Sequence, residues 1–182
     1  MTTLHKHSVF TIPNLLSMLR LALIPLIVHL YGINAPLSAA ILLLSGLTDL
    51  LDGWYARRFN AVTSLGKVLD PIADKLTQFA VLILLSRKFT TFIPLIILLV
   101  IKELIAGTLG AVVIQRTGLV HGAEWHGKAA GFLLYLLMLL HIVWKDIPAS
   151  LSNILAVVCA GMMLLSLTLY SIAHIHRCQK SR

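Results

Sequence analysis

Residues 49–76 read DLLDGWYARRFNAVTSLGKVLDPIADKL, and four of the chain's seven acidic residues, Asp49, Asp52, Asp70 and Asp74, fall inside this stretch. Asp49 and Asp52 are three positions apart and Asp70 and Asp74 four apart, so on helices each pair shares a face. Apolar runs flank the stretch, PLSAAILLLSGLT over 36–48 and TQFAVLILL over 77–85. The acids therefore gather at one end of two consecutive apolar helices. The short connection between those helices lets the two pairs oppose one another.

Outward from this centre the whole chain has the same character. Its 182 residues are 58% hydrophobic and 12% charged, which excludes a soluble globular domain, a disordered chain and a disulfide scaffold. Six spans of about 20 residues use roughly 120 positions and leave only short connections. Gly, Pro and charge clusters divide the apolar runs into predicted helices at Pro13–Tyr31, Pro36–Arg58, Lys67–Leu85, Phe92–Ile114, Gly127–Trp144 and Ser150–Ile172. The expectation is an all-α polytopic bundle of six transmembrane helices, forming a single domain over 1–182. A short interfacial segment, His5–Ile12, precedes it. Arg20 interrupts any signal-peptide core, so the first helix reads as retained.

Fifteen Lys and Arg against seven Asp and Glu give a net charge of +8. On a membrane protein this excess reflects basic inner loops and anionic lipid, and no nucleic-acid partner is expected. With the N-terminus inside, Lys6, Arg57, Arg58, Lys67, Arg116, Lys128, Arg177, Lys180 and Arg182 share one side. Arg87, Lys88 and Lys145 lie on the other, so both termini and the acidic stretch are predicted on the cytoplasmic side. Arg20, Lys75 and Lys102 fall within spans, where a cation needs an acid, a ligand or a wet cavity. Arg20 equally reads as snorkelling to the interface and Asn14 as a helix cap. His29 and His141 read as amphipathic anchors near the far interface, and Cys159 and Cys178 as free thiols.

Four carboxylates in one pocket repel one another unless cations intervene. Oxygen ligands of this kind suit Mg²⁺ or Mn²⁺ better than zinc, and two ions are the direct solution. Gly53 and Ala56 on one helix and Gly66 on the next add side-chain-poor strips beside the acids, where a flat group can lie. Arg57 and Lys75 supply positive charge for a phosphate-bearing ligand.

Asp49, Asp52, Gly53, Ala56 and Arg57, followed after eight residues by Gly66, Asp70 and Asp74, reproduce the pattern DxxDGxxAR…GxxxDxxxD. In this the chain resembles the CDP-alcohol phosphotransferases. Chance agreement at all eight positions is on the order of 10⁻¹⁰ per starting point. The segments IPNLLSMLRLALIP (12–25) and LDPIADKL (69–76) are further similar to the phosphatidylglycerophosphate synthase and cardiolipin synthase branches.

The resemblance implies that Asp49, Asp52, Asp70 and Asp74 ligate two divalent cations, Mg²⁺ or Mn²⁺, with Asp74 also the general base. It implies that Asp52, Gly53, Ala56, Arg57 and Gly66 border the cytidine diphosphate. The implied reaction moves the phosphatidyl group of CDP-diacylglycerol to glycerol 3-phosphate and releases CMP, in a homodimer within a bacterial cytoplasmic membrane. The acceptor's phosphate needs cations, and Lys75, Lys102, Arg116 and Lys128 are the candidates, with His126 nearby. Lys102-Glu103 stands where the glycerol-phosphate branch has Arg-Glu, and Gly127-Lys128-Ala129-Ala130-Gly131 lacks the second lysine of a GKxKT-like pattern. Phosphatidylglycerol as acceptor, giving cardiolipin, is the alternative, followed by other alcohols. A cation transporter is the non-enzyme reading; a transport path calls for acids along its length, and beyond the cluster only Glu103 lies deeper and Asp146 near the outer half.

Overall fold

The structure, a computed structural model, describes residues 12–58, 66–117 and 125–180. Among the described residues there are six helices and no strand: α1 (Ile12–Ile33), α2 (Ala35–Arg58), α3 (Gly66–Ser86), α4 (Phe92–Thr117), α5 (Trp125–Val143) and α6 (Ala149–Lys180). The expected helices are all present. The main difference is α6, whose helix continues past Ile172 to Lys180, because the basic tail carries no Gly or Pro to stop it. Pro25 and Pro71 lie inside α1 and α3, which run through them. The predicted interfacial segment lies outside the described residues except for Ile12, which opens α1.

Local chemistry sets the helix junctions. Asn34 separates α1 from α2, and its Oδ1 accepts a hydrogen bond from the Leu37 amide at 3.1 Å, capping an otherwise orphaned N–H of the first turn. The α3 C-terminus closes through the Leu85 carbonyl, which accepts from the Lys88 and Phe89 amides at 3.0 and 2.9 Å. At the start of α6 the Pro148 carbonyl accepts the Ser152 amide at 2.9 Å.

The chain forms two compact units that divide at Leu84 and Leu85. In the first, α1 packs along α2, with Ile27, Ala35, Ala39 and Leu42 buried. The buried Ser38 hydroxyl donates to the Ile27 carbonyl at 2.8 Å, drawing the two backbones together. In the second, α6 packs on both α4 and α5 around Leu99, Leu134, Met138, Ile142 and Met163.

The outward surface is apolar: Leu15, Leu104, Phe132 and Val157 are among many large hydrophobic side chains left exposed. Four helical stretches are long and apolar enough to cross a membrane: Asn14–Ile33, Phe92–Gln115, Trp125–Val143 and Ala149–His174. α3 does not meet that measure, because Asp70, Asp74 and Lys75 fall within it; the apolar stretch of α2 among the described residues is Ala35–Asp49.

One expectation needs correcting. His141 is fully buried, not an interfacial anchor. Its ring faces α6 and is met edge-on by Phe89 and Phe92, with ring centroids 4.9 and 4.8 Å away, which removes it from any headgroup. His29, the other expected anchor, is exposed.

Candidate active site

The first unit brings the acids of α2 and α3 to a shared polar face of α1. Asn14, Ser17 and Arg20 are all buried there, while Leu15, Met18 and Leu19 point outward. α1 is thus polar inside and apolar outside, as expected of a lipid-facing helix that contributes to a polar centre. Arg20 Nη1 lies 2.7 Å from Asp49 Oδ1 on α2, with the arginine side chain 2% exposed and the aspartate 44%. One turn earlier on α1, the Ser17 hydroxyl donates to Asp70 Oδ1 on α3. Two residues of one helix therefore hold an acid from each half of the sequence pattern.

Asp74 lies one turn beyond Asp70, close enough for the charges of both Asp49 and Arg20 to act on it. Its own helix supplies its polar partners. Gln78 Nε2 donates to Asp74 Oδ1 at 3.2 Å and Oδ2 at 3.1 Å, and Lys75 Nζ stands 3.5 Å from Oδ2. Lys75 Nζ also donates to Gln78 Oε1 at 3.5 Å, which fixes the amide with its nitrogen toward the carboxylate. Gln78 is buried, whereas Asp74 is about a third exposed, so the acid remains open to solvent from a supported position.

Of the remaining expected site residues, Gly66 is buried at the first position of α3. Asp52, Gly53, Ala56 and Arg57 lie on α2 and Arg116 on α4, but their side-chain surroundings lie outside the described residues. In the second unit Lys102 pairs with its neighbour Glu103 at 2.7 Å. Lys128 is exposed in the first turn of α5. His126 is buried, its Nδ1 3.2 Å from the Ser166 hydroxyl of α6.

Sequence reasoning did not single out Ser17 or Gln78. Each had a signal: Asn14, Ser17 and Arg20 recur every three residues in an apolar helix, and Asp70, Asp74 and Gln78 every four.

The donor chemistry fits hard divalent cations. Asp49, Asp70 and Asp74 present carboxylate oxygens from two helices, partly open to solvent, and each already engages a hydrogen-bond donor or a cation. Among the described residues no three acid, His or Cys side chains gather closely enough to enclose an ion by themselves. Asp52, the fourth acid of the set, lies outside the described side chains.

A profile of the CDP-alcohol phosphatidyltransferase family matches residues 10–170. The chain belongs to this family. Among curated CDP-alcohol phosphatidyltransferase relatives, it is 43% identical over 101 residues to a CDP-diacylglycerol--glycerol-3-phosphate 3-phosphatidyltransferase of Rickettsia bellii, covering 53% of this chain and 56% of the relative. The chain thus spans little more than half the length of that relative. A protein of Aquifex aeolicus with the same name is 32% identical over 169 residues, covering 88% of this chain and 94% of its own length. A cardiolipin synthase (CMP-forming) of Streptomyces coelicolor is 40% identical over 152 residues, 76% of this chain and 68% of that one. Family membership and the apolar helices together make the chain an integral membrane protein.

Proposed function

We propose that this protein is a CDP-diacylglycerol-dependent phosphatidyltransferase that uses glycerol 3-phosphate as acceptor and makes phosphatidylglycerophosphate. The observation that supports the reading is that one face of α1 engages an acid from each half of the family's sequence pattern, Arg20 pairing with Asp49 of α2 and Ser17 with Asp70 of α3. The name of the Aquifex relative, matched over nearly all of its length, supports the acceptor. The family match runs through both helical units, which supports treating the chain as one catalytic domain.

In this mechanism Asp49, Asp52, Asp70 and Asp74 would hold two divalent cations. When bound, those ions neutralise the diphosphate and the charge that develops on the leaving group. Gly53, Ala56 and Gly66 leave room for the nucleotide, and Arg57 pairs with its phosphates. Asp74 takes the proton from the acceptor hydroxyl as that oxygen bonds to the lipid-side phosphorus. The bond from that phosphorus to the bridging oxygen breaks, and CMP departs with the oxygen. Gln78 keeps both Asp74 oxygens oriented for this step. The cations proposed for the acceptor's phosphate are Lys75, Lys102, Arg116 and Lys128. The site opens on the cytoplasmic side of a bacterial membrane, as the distribution of basic loop residues supports, and the working unit is a homodimer.

The Streptomyces relative supports a second reading, with phosphatidylglycerol as acceptor and cardiolipin as product. Purified protein supplied with CDP-diacylglycerol, MgCl₂ or MnCl₂ and each acceptor in turn decides between them by mass spectrometry of the lipid product. Phosphatidylglycerophosphate with stoichiometric CMP is expected. Cardiolipin alone selects the second reading, and cation flux in proteoliposomes without CMP from any acceptor overturns both.

A further inference from the structure

Arg20 is a fully charged side chain placed in the interior of an apolar helix, and 2% of it is exposed. Such a placement is costly unless negative charge compensates it. The compensation comes from α2, through Asp49 at 2.7 Å, and the guanidinium's field extends to Asp74 on α3. Ser17, on the same face of α1, engages Asp70. Positive charge therefore stands against the acids from a helix that carries none of the family's pattern acids.

We propose that Arg20 is a built-in countercharge and positioning residue for the acidic centre. It holds Asp49 in place while the site is free of ions, and it yields part of that role when divalent cations bind. Ser17 performs the matching service for Asp70 as a neutral donor. The inference rests on the two-cation reading above for its functional consequence, but its structural half stands on the Arg20–Asp49 pair alone.

The physical consequence is a coupling between Arg20 and divalent cations. Without Arg20 the ion-free protein keeps a partly buried cluster of like charges with one less compensating cation, which raises its free energy. Bound cations supply the missing charge, so the loaded protein suffers less. The pair behaves as two linked ligands of one cluster.

The test is a thermal-unfolding comparison of full-length protein in detergent, in EDTA and in saturating MnCl₂, for wild type, Arg20→Gln, Arg20→Lys, Asp49→Asn and the Arg20→Gln/Asp49→Asn double variant. In EDTA, Arg20→Gln should lower the apparent Tm by about 5–10 °C, from breaking an ion pair whose arginine is buried in a chain of this size. Adding Asp49→Asn should restore part of that loss, because the stranded charge is gone. In MnCl₂ the Arg20→Gln loss should shrink to less than half. Arg20→Lys keeps the charge, so it should track wild type within about 3 °C in both buffers and guards against a variant that simply fails to fold.

Equal losses with and without Mn²⁺, together with additivity in the double variant, would mean that Arg20 only packs the helices, and the proposal is then wrong. An Arg20→Lys protein as impaired as Arg20→Gln overturns it as well. CMP release by wild type is scored separately: its absence removes the phosphatidyltransfer reading, while a non-additive cycle in EDTA still upholds the countercharge.

Discussion

The side-chain amide of Gln78 donates to both oxygens of Asp74, at 3.2 and 3.1 Å, and it does so from a buried position one helical turn away. In the proposed mechanism this carboxylate ligates an ion and accepts a proton, so its orientation matters, and the residues that set orientation around metal sites influence activity by about 10–100-fold. Gln78→Met, which keeps the volume and removes the donor, is expected to lower kcat for CMP release by that factor. The KM for CDP-diacylglycerol should change less than threefold, because Gln78 acts through Asp74 and is not among the residues proposed to border the nucleotide. Steady-state CMP assays over a donor concentration series make the comparison.

The acids themselves should separate by role. Asp74→Asn retains an oxygen ligand and its helical neighbours but loses the basic lone pair. It is therefore expected to abolish turnover while keeping much of the Mn²⁺ binding seen by electron paramagnetic resonance. Asp49→Asn and Asp70→Asn should weaken Mn²⁺ binding itself by at least tenfold, because each removes a full negative charge from an oxygen ligand set. Near-normal CMP release by Asp74→Asn removes it as the base.

The sequence predicts much of this site and misses the rest for identifiable reasons. The DxxDGxxAR…GxxxDxxxD spacing is a local property, and helical periodicity alone puts Asp70 beside Asp74 on one face of α3. Helix limits were legible for the same reason, since Asn34, Gly66 and the turn residues near Lys88 interrupt apolar runs. The Arg20–Asp49 and Ser17–Asp70 contacts join residues far apart in the chain, and no single-helix pattern specifies which helix faces which. A lone Arg near a helix start also satisfies the snorkelling rule, so burial was needed to separate the two readings of Arg20. His141 misleads in the same way: a histidine near a helix end fits an interface, and only the opposing Ser152 and the two phenylalanines reveal an interior position.

The two lysines of the second unit proposed for the acceptor's phosphate should not behave alike. Lys102 is held by Glu103 at 2.7 Å and is mostly buried, whereas Lys128 is exposed at the start of α5. Lys128→Ala is expected to raise the KM for glycerol 3-phosphate about tenfold, the loss of one charge-assisted contact to a phosphate, with the donor KM little changed. Lys102→Ala removes the ion-pair partner that Glu103 has at 2.7 Å and should lower thermal stability as well as acceptor affinity. Pairing it with Glu103→Gln should recover the stability but not the acceptor KM. Equal effects of Lys128→Ala on both substrates would assign that residue a structural role instead.

The far end of the second unit carries a directional chain of hydrogen bonds whose removal should affect stability and leave chemistry intact. The Leu137 carbonyl, 2.8 Å from His141 Nδ1, can only accept, so Nδ1 carries the proton. In the neutral ring Nε2 is then an acceptor, and the Ser152 hydroxyl donates to it at 2.9 Å. With its proton so used, Ser152 Oγ can accept from the Thr91 hydroxyl at 3.4 Å, which links the α3–α4 turn to α5 through α6. His141→Leu leaves the buried Ser152 hydroxyl without that acceptor and removes the ring on which Phe89 and Phe92 pack. A loss of about 1–3 kcal/mol is expected, read as a fall in apparent Tm of about 3–10 °C. Ser152→Ala leaves the smaller gap of one unfilled Nε2 acceptor and should cost less, and the double variant should be less destabilised than the sum of the two, since both remove the same hydrogen bond. CMP release at a temperature well below both transitions should stay within twofold of wild type, because none of these residues belongs to the unit that holds the acids. A tenfold loss of kcat in a folded Ser152→Ala protein would place this chain of hydroxyls in the catalytic cycle.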